Sequence, residues 1–374
     1  MPAPITIDTV RRAPKVLLHD HLDGGLRPAS VIDLADAIGH GLPSSDPDEL
    51  HRYFVRGAEA KDLAQYLDTF QHTVAVLQTE ANLARVAREC VEDLAADGVV
   101  YAEVRFAPEL HQAEGLALEA VVDAVLAGLR EGEREVRRAS REMTVNVILC
   151  AMRTGDRSLE IVQLLERRRY HDPKLVAFDL AGAETGYPPS RHAEALAFAR
   201  RHHLHITIHA SEPPDLELIS DALAQGAERI GHGVRLQTDI LFTPDGRAIC
   251  GKVARAVLDR RIALEMAPTC HVQIGAVPSF EEHPFAKMLR LGFVVTVNTD
   301  NRLMSNVSVS SETLALAEAF GLSWDELEQV AMNGAEVAFA PYEERRRLVV
   351  DVIGPAYRAL ASGAEGTTAA AGSS

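Results

Sequence analysis

A parallel (β/α)8 TIM barrel, with a helical insertion behind its first strand, is the α/β fold class that this sequence predicts on three observations. Eight apolar runs rich in Val and Ile recur along the chain, most of them near-continuous rather than alternating, as strands covered on both faces read. Helical patterns separate the runs, so strand and helix alternate. No Gly-rich phosphate turn follows the first run, where His21-Leu22-Asp23-Gly24-Gly25 stands instead of G-x-G-x-x-G, and this disfavours a doubly wound sheet.

The runs span 15–21, 99–106, 144–151, 175–181, 205–209, 229–232, 262–267 and 293–299. Helical patterns fill the gaps at 80–96, 118–138, 157–169, 191–202, 214–225, 251–259 and 284–291. These units predict one barrel domain over 1–360. The first connection is far longer than one helix requires. We read 24–98 as an insertion that forms a lid or substrate pocket at the active face, with helices expected at 28–38 and 61–77. At the other end, 361–374 is rich in Ala, Gly, Ser and Thr and reads as a disordered tail.

A chain of 374 residues, 47% of them hydrophobic, can bury a large core, and its formal charge of -16 argues against nucleic acid as a partner, since phosphate binding needs a basic surface. Residues 1–14 carry Arg11 and Arg12 but no apolar segment behind them, and nothing approaches the ~18 uninterrupted apolar residues of a membrane span. Neither export nor membrane insertion is expected. Cys90, Cys150, Cys250 and Cys270 are far apart with no C-x-x-C pair, which fits reduced thiols in the cytoplasm rather than a disulfide framework or a thiolate zinc site.

Four of the runs end in groups that bear chemistry. Side chains two apart on a strand share a face, so His19 and His21 project together into the barrel mouth. His209 closes the fifth run and Asp300 follows the eighth, so three imidazoles and one carboxylate meet where barrel enzymes keep their active sites. That donor set suits a zinc ion with one position left for water. Asp300 has a competing reading as a helix N-cap within Thr299-Asp300-Asn301. His232 lies between Gly231 and Gly233, which lets the backbone approach a ligand closely, and Glu212 stands before Pro213-Pro214. This pair is placed for proton transfer, although a turn glutamate is ordinarily a solvated charge. The scattered His40, His51, His72, His111, His171, His192, His202, His203 and His283 read as ordinary polar or surface groups.

Several segments carry a resemblance: His19-Asp20-His21-Leu22-Asp23-Gly24, Tyr101 to Pro108, Asp179-Leu180-Ala181-Gly182-Ala183-Glu184, His209-Ala210-Ser211-Glu212, Gly231-His232-Gly233 and Asn298-Thr299-Asp300. In this order they resemble the adenosine deaminase family of zinc-dependent barrel amidohydrolases, over roughly 15–360. The resemblance implies one Zn2+ per chain, held by His19, His21, His209 and Asp300. It implies that His232 orients the attacking water and helps remove its proton, while Glu212 protonates purine N1 as water adds at C6. Asp300 counts with these two among the catalytic groups. The implied ligand is a small-molecule purine nucleoside, with Gly182 at N3, Asp23 at the ribose 5'-hydroxyl, Asn301 at N7 and His21 also facing the substrate. Leu63, Tyr66, Leu67 and Phe70 match the family's apolar wall at helical spacing, and a core-facing stripe would look the same. The implied reaction turns adenosine and 2'-deoxyadenosine into inosine and 2'-deoxyinosine plus ammonia, in purine salvage.

Three departures bear on the substrate. Asn301 stands where many members have a second aspartate, and its amide always carries donors for N7. Ser211 replaces the glycine of the usual His-Ala-Gly-Glu. The seventh run continues Glu265-Met266-Ala267-Pro268-Thr269-Cys270-His271, where Cys-Pro followed by Ser-Asn is usual, so His271 comes near the site either to tune the substrate or to fill space. The same chemistry on 5'-methylthioadenosine, aminodeoxyfutalosine or adenine stays open at this point. A binuclear ring opener would need a bridging ligand atop the fourth strand, but Lys174 lies at that strand's other end, so one metal is expected. The P-C-x-x-C signature of the small cytidine-type deaminases is absent. Retention of the four ligands, His232 and Glu212 argues against a non-catalytic binder.

Overall fold

The computed structural model describes residues 2–61, 66, 68–243 and 247–363. Its strands are β1 (Lys15–His21), β2 (Val99–Phe106), β3 (Thr144–Met152), β4 (Leu175–Ala181), β5 (His205–Ala210), β6 (Arg229–His232), an outlying pair β7 (Ile240–Phe242) and β8 (Ala248–Cys250), then β9 (Ala263–Met266) and β10 (Val295–Val297). All but the antiparallel pair form one sheet in the order β1-β2-β3-β4-β5-β6-β9-β10, with parallel neighbours. Asp20 and Asp300 close it through a parallel bridge, in which Asp300 N–H donates to the His19 carbonyl at 3.0 Å and His21 N–H to the Asp300 carbonyl at 2.7 Å. On β3 every residue from Val145 to Ala151 is buried, one face inside the barrel and the other under helices, which is why the run shows no polar alternation.

Seven of the expected strands agree within a residue at each end; the eighth shrinks from 293–299 to Val295–Val297. Beyond Val297 the pairing goes on through the Asn298 N–H to the Met266 carbonyl at 2.9 Å and the Asp300 bridge, helped by a side chain. Asn298 Oδ1 accepts Leu18 N–H at 3.0 Å while Nδ2 donates to Thr296 Oγ1 at 2.9 Å. The helices Glu80–Ala96 and Leu118–Arg138 stand as expected, and Ser158–Arg169, Lys252–Asp259 and Phe285–Arg290 nearly so. Pro189–His192 is a 3-10 turn before the helix Ala193–Arg201, and Pro213-Pro214 delays the next helix to Glu217–Ala224.

In the insertion Pro28–Ile38 matches expectation, whereas Pro47–Ala58 was not expected from periodicity. Its start signal is nonetheless plain, since Asp46 Oδ1 accepts Glu49 N–H at 2.9 Å ahead of a proline in the first turn. Of the helix expected over 61–77, the described part is Phe70–Ala75; Leu63 and Leu67 lie outside the described residues. After β10 come Val309–Phe320, Trp324–Val337, Tyr342–Arg347 and Gly354–Ser362, none of them foreseen. Two open with capping boxes, at Ser308 and Ser323. Trp324–Val337 lies under the N-terminal ends of β1 and β10, where Asn333 Nδ2 donates to the Val295 carbonyl at 3.0 Å. The last helix runs through Ser362, past the expected start of the tail, and 364–374 fall outside the described residues. No described helix is long and apolar enough to cross a membrane.

The barrel interior holds charges as well as apolar groups. Arg105 reaches Asp179 Oδ2 at 2.7 Å and Glu265 Oε2 at 2.8 Å, and Arg229 reaches Glu265 Oε1 at 2.7 Å and Glu103 Oε2 at 2.6 Å. All five side chains are buried, so each charge depends on the others for the solvation that water no longer supplies.

Candidate metal centre and active site

His19, His21, His209 and Asp300 converge at the C-terminal mouth of the barrel. His19 Nε2 lies 3.2 Å from Asp300 Oδ1, and His21 Nε2 lies 3.5 Å from the same oxygen and 3.1 Å from His209 Nε2. Donors around a tetrahedral zinc with bonds near 2.0 Å stand about 3.3 Å apart, so these spacings are those of groups sharing one ion. His232 is close by, its ligand atom within 4.8 Å of those of His19, His209 and Asp300. His19 Nε2 is buried with no hydrogen-bond partner among the described residues. Burial, then Arg105, holds the His19 ring well below its ordinary pKa, and burial, then His209, does the same for His21. Neutral imidazoles directed at one another beside a carboxylate are stabilised by a divalent cation, so the residues present fit a metal.

The alternation of β1 explains the His-Asp-His order. His19 and His21 face the centre, while Asp20 faces away and accepts Thr299 Oγ1–H at 2.7 Å and Arg302 Nε–H at 2.9 Å, tying β1 to the end of β10. Behind the centre, His19 Nδ1 meets Glu265 Oε2 at 3.0 Å and His209 Nδ1 meets Asp179 Oδ2 at 2.9 Å. The Glu265 carboxylate holds the hydrogen of His19 on Nδ1 and leaves its Nε2 bare toward the centre, whereas His209 Nδ1 lies close to Asp179 without the alignment of a hydrogen bond. Arg105 joins the two carboxylates from beneath. The sequence reading missed this layer, although Glu103, Arg105, Asp179 and Glu265 signalled it as charges set within apolar runs.

Two central side chains stand on unusual backbone, His232 at φ +63° and Asp300 at φ +55°. Such positions cost on the order of 1–3 kcal/mol each and persist where the surroundings impose them. Asp300 is not a helix cap: its Oδ2 accepts the Cys270 thiol at 3.0 Å, while Asn301 holds the cap position of Arg302–Ser305 without a side-chain bond. Gly231 is needed for contact, because a Cβ there would lie 3.0 Å from His209 Cα and 3.1 Å from His19 Cε1.

A cavity of about 390 Å³ opens beside the cluster, with Phe70, Val74, Leu110 and Met152 on its apolar side and His21, Asp23, Glu212, His232, Asp300 and Asn301 on its polar side. Glu212 is buried, not solvated. Burial, then Glu184 and Asp300, pushes its pKa well above the usual carboxyl range, and its Oε1 lies 3.6 Å from His232 Nε2. Its own N–H donates to Glu184 Oε1 at 3.0 Å, which anchors the turn. Burial lifts Asp23 to about 7. Gly182 lines the cavity at φ +91°, where a Cβ would sit 2.8 Å from Met152 Cε. Tyr66 is more than wall: its hydroxyl accepts Asn301 Nδ2–H at 2.8 Å. Ser211 is buried with no partner for its Oγ among the described residues. His271 does not reach the cavity, but contacts His232 from behind, Nε2 to Nδ1, at 3.0 Å.

A family profile described as adenosine deaminase matches residues 14–355. The chain belongs to the adenosine deaminase family. It is 52% identical to the adenosine deaminase of Mycolicibacterium vanbaalenii over 362 residues, covering 96% of this chain and 99% of that one. It is 51% identical to adenosine deaminase 1 of Streptomyces coelicolor, covering 95% and 90%. The crystal structure of an adenine deaminase from Arthrobacter aurescens superposes with a TM-score of 0.78 at 28% identity, covering 91% and 98%. This deaminase-family chain therefore has the barrel, the histidine and aspartate cluster and the adjoining cavity in one place.

Proposed function

We propose that the chain catalyses hydrolytic deamination of adenosine and 2'-deoxyadenosine, with release of ammonia. The observation that carries the reading is the Glu212 carboxyl, buried at the cavity wall beside the histidine cluster, where burial pushes its pKa up. Such an acid is suited to protonating a ring nitrogen.

His19, His21, His209 and Asp300 would hold one zinc ion, chosen by the imidazole and carboxylate donors. When bound, it lowers the pKa of a water to about 7 and makes hydroxide available near neutrality. Glu212 gives its proton to purine N1 as the hydroxide oxygen bonds to C6, so the charge that would build on N1 is met as it forms. The C6–N bond then breaks, the amino group leaving as ammonia with the proton of the added hydroxyl. His232 orients the attacking oxygen. Asn301 spends one amide hydrogen on Tyr66, leaving the other for N7. Gly182 presents its amide to N3 and Asp23 takes the 5'-hydroxyl, with Phe70 in the wall. Among the described residues lining the cavity there is no Lys or Arg, so a 5'-phosphate would lack a countercharge and a nucleoside is favoured over a nucleotide.

The test is turnover of adenosine, 2'-deoxyadenosine, 5'-methylthioadenosine, aminodeoxyfutalosine, adenine and AMP, read from the absorbance change between adenine and hypoxanthine rings. Turnover of the two free nucleosides, with AMP and adenine inert and one zinc per chain by metal analysis, is expected. Turnover confined to a 5'-modified or sugar-free compound would overturn the substrate assignment.

A further inference from the structure

Behind His232 stand two buried histidines, His271 and His283, that do not line the cavity and are not among the groups that could share a metal ion. Phe285 N–H donates to His283 Nδ1 at 3.2 Å. A peptide N–H can only donate, so Nδ1 is the acceptor and a neutral His283 ring carries its hydrogen on Nε2. That nitrogen lies 2.8 Å from His271 Nδ1, which must accept, leaving the His271 hydrogen on Nε2. His271 Nε2 lies 3.0 Å from His232 Nδ1, and the same step repeats. The planes of the His271 and His283 rings are within 1° of parallel. Burial holds the His271 and His283 rings below their ordinary pKa, His283 at about 3, so neither carries a second hydrogen that would break the direction.

We infer that Phe285 N–H, His283 and His271 form a one-way hydrogen-bond relay that fixes His232 with its hydrogen on Nε2, as a donor facing the reacting oxygen. His271 and His283 are then positioning residues for the reaction. An Nε2 that bears hydrogen has no lone pair for a metal, which separates His232 from the imidazoles that share its neighbourhood. Nor can that nitrogen take a proton from water unless the relay reverses against Phe285 N–H. Its task becomes donation to the oxygen on which negative charge is carried. His271 is also one of the departures noted in the sequence, so this relay belongs to the chain's own residues.

The test labels histidine with 15N in the metal-loaded enzyme and assigns His232 by its loss in a His232→Asn variant. Nδ1 is expected at the position of a bare imidazole nitrogen, with Nε2 bearing the hydrogen. This readout needs no substrate, so it stands apart from the deamination reading, on which only the kinetic readout rests. In His271→Leu, kcat is expected to fall about 100-fold, with KM changed less than about threefold and metal content unchanged. His283→Leu, which keeps His271 but removes the anchor, is expected to give a mixed His232 tautomer and a smaller fall. His271→Gln, whose amide donates from a similar reach, is expected to hold kcat within about tenfold of the parent. A hydrogen on His232 Nδ1 in the parent, a His271→Leu variant with unchanged kcat, or a Gln variant as impaired as Leu would overturn the relay.

Discussion

Glu265→Gln probes the layer beneath the metal centre. Glu265 Oε2 accepts from His19 Nδ1 at 3.0 Å and Arg105 Nη2 at 2.8 Å, and Oε1 from Arg229 Nε at 2.7 Å and Thr207 Oγ1 at 3.0 Å. A carboxamide replaces one acceptor by an NH2 donor. With NH2 in place of Oε2 it would oppose two N–H groups. In place of Oε1 it opposes Arg229 Nε–H, while the Thr207 hydroxyl can turn to accept. The second arrangement costs less, yet it leaves a buried guanidinium N–H against a donor and withdraws the charge facing both arginines. Breaking one partner of a buried pair costs about 3–5 kcal/mol, which for a chain of this size is roughly a 5 °C fall in Tm. His19 also loses the carboxylate that orients it, worth about 10- to 100-fold in metal affinity. Calorimetric unfolding of the metal-free protein and chelator competition measure the two effects separately. A Gln variant within about 1 kcal/mol of the parent and with unchanged metal affinity would refute the view that this carboxylate supports the barrel interior and holds the His19 ring.

Glu212→Gln is expected to keep its metal and lose about 100- to 10,000-fold in kcat, since the amide cannot give a proton; near-full turnover would remove Glu212 from the acid role. His19→Ala should lose metal occupancy, read by elemental analysis after gel filtration. Gly231→Ala, whose Cβ would lie 3.0 Å from His209 Cα and 3.1 Å from His19 Cε1, is expected to cost about 1–3 kcal/mol and weaken metal binding; unchanged Tm and affinity would deny the close packing. Burial raises Glu312 to about 7 from 4.5, so the folded protein holds a proton there that the unfolded chain has released, and stability falls as pH rises through that window and then levels. The Tm of Glu312→Gln relative to the parent should therefore climb between pH 5 and 7, by at most roughly 3 kcal/mol in stability, and a pH-independent difference would count against it.

Period-two alternation put His19 and His21 on one face, and near-continuous apolar runs marked the strands, so the barrel and the roster around its mouth were legible in local pattern. The C-terminal helices Val309–Phe320 and Trp324–Val337 carry an equally local signal in the capping serines Ser308 and Ser323, although no strand end marks them. Residue order alone determined which donors exist and which strand ends carry them. It did not determine which donors meet, because His19 and Glu265, or Arg105 and Asp179, are brought together only by barrel closure across long stretches of chain. Nor did it distinguish His232 from the other imidazoles. That separation depends on where a hydrogen sits, and the hydrogen is placed by His271, His283 and the Phe285 amide, groups whose directions exist only in the folded molecule.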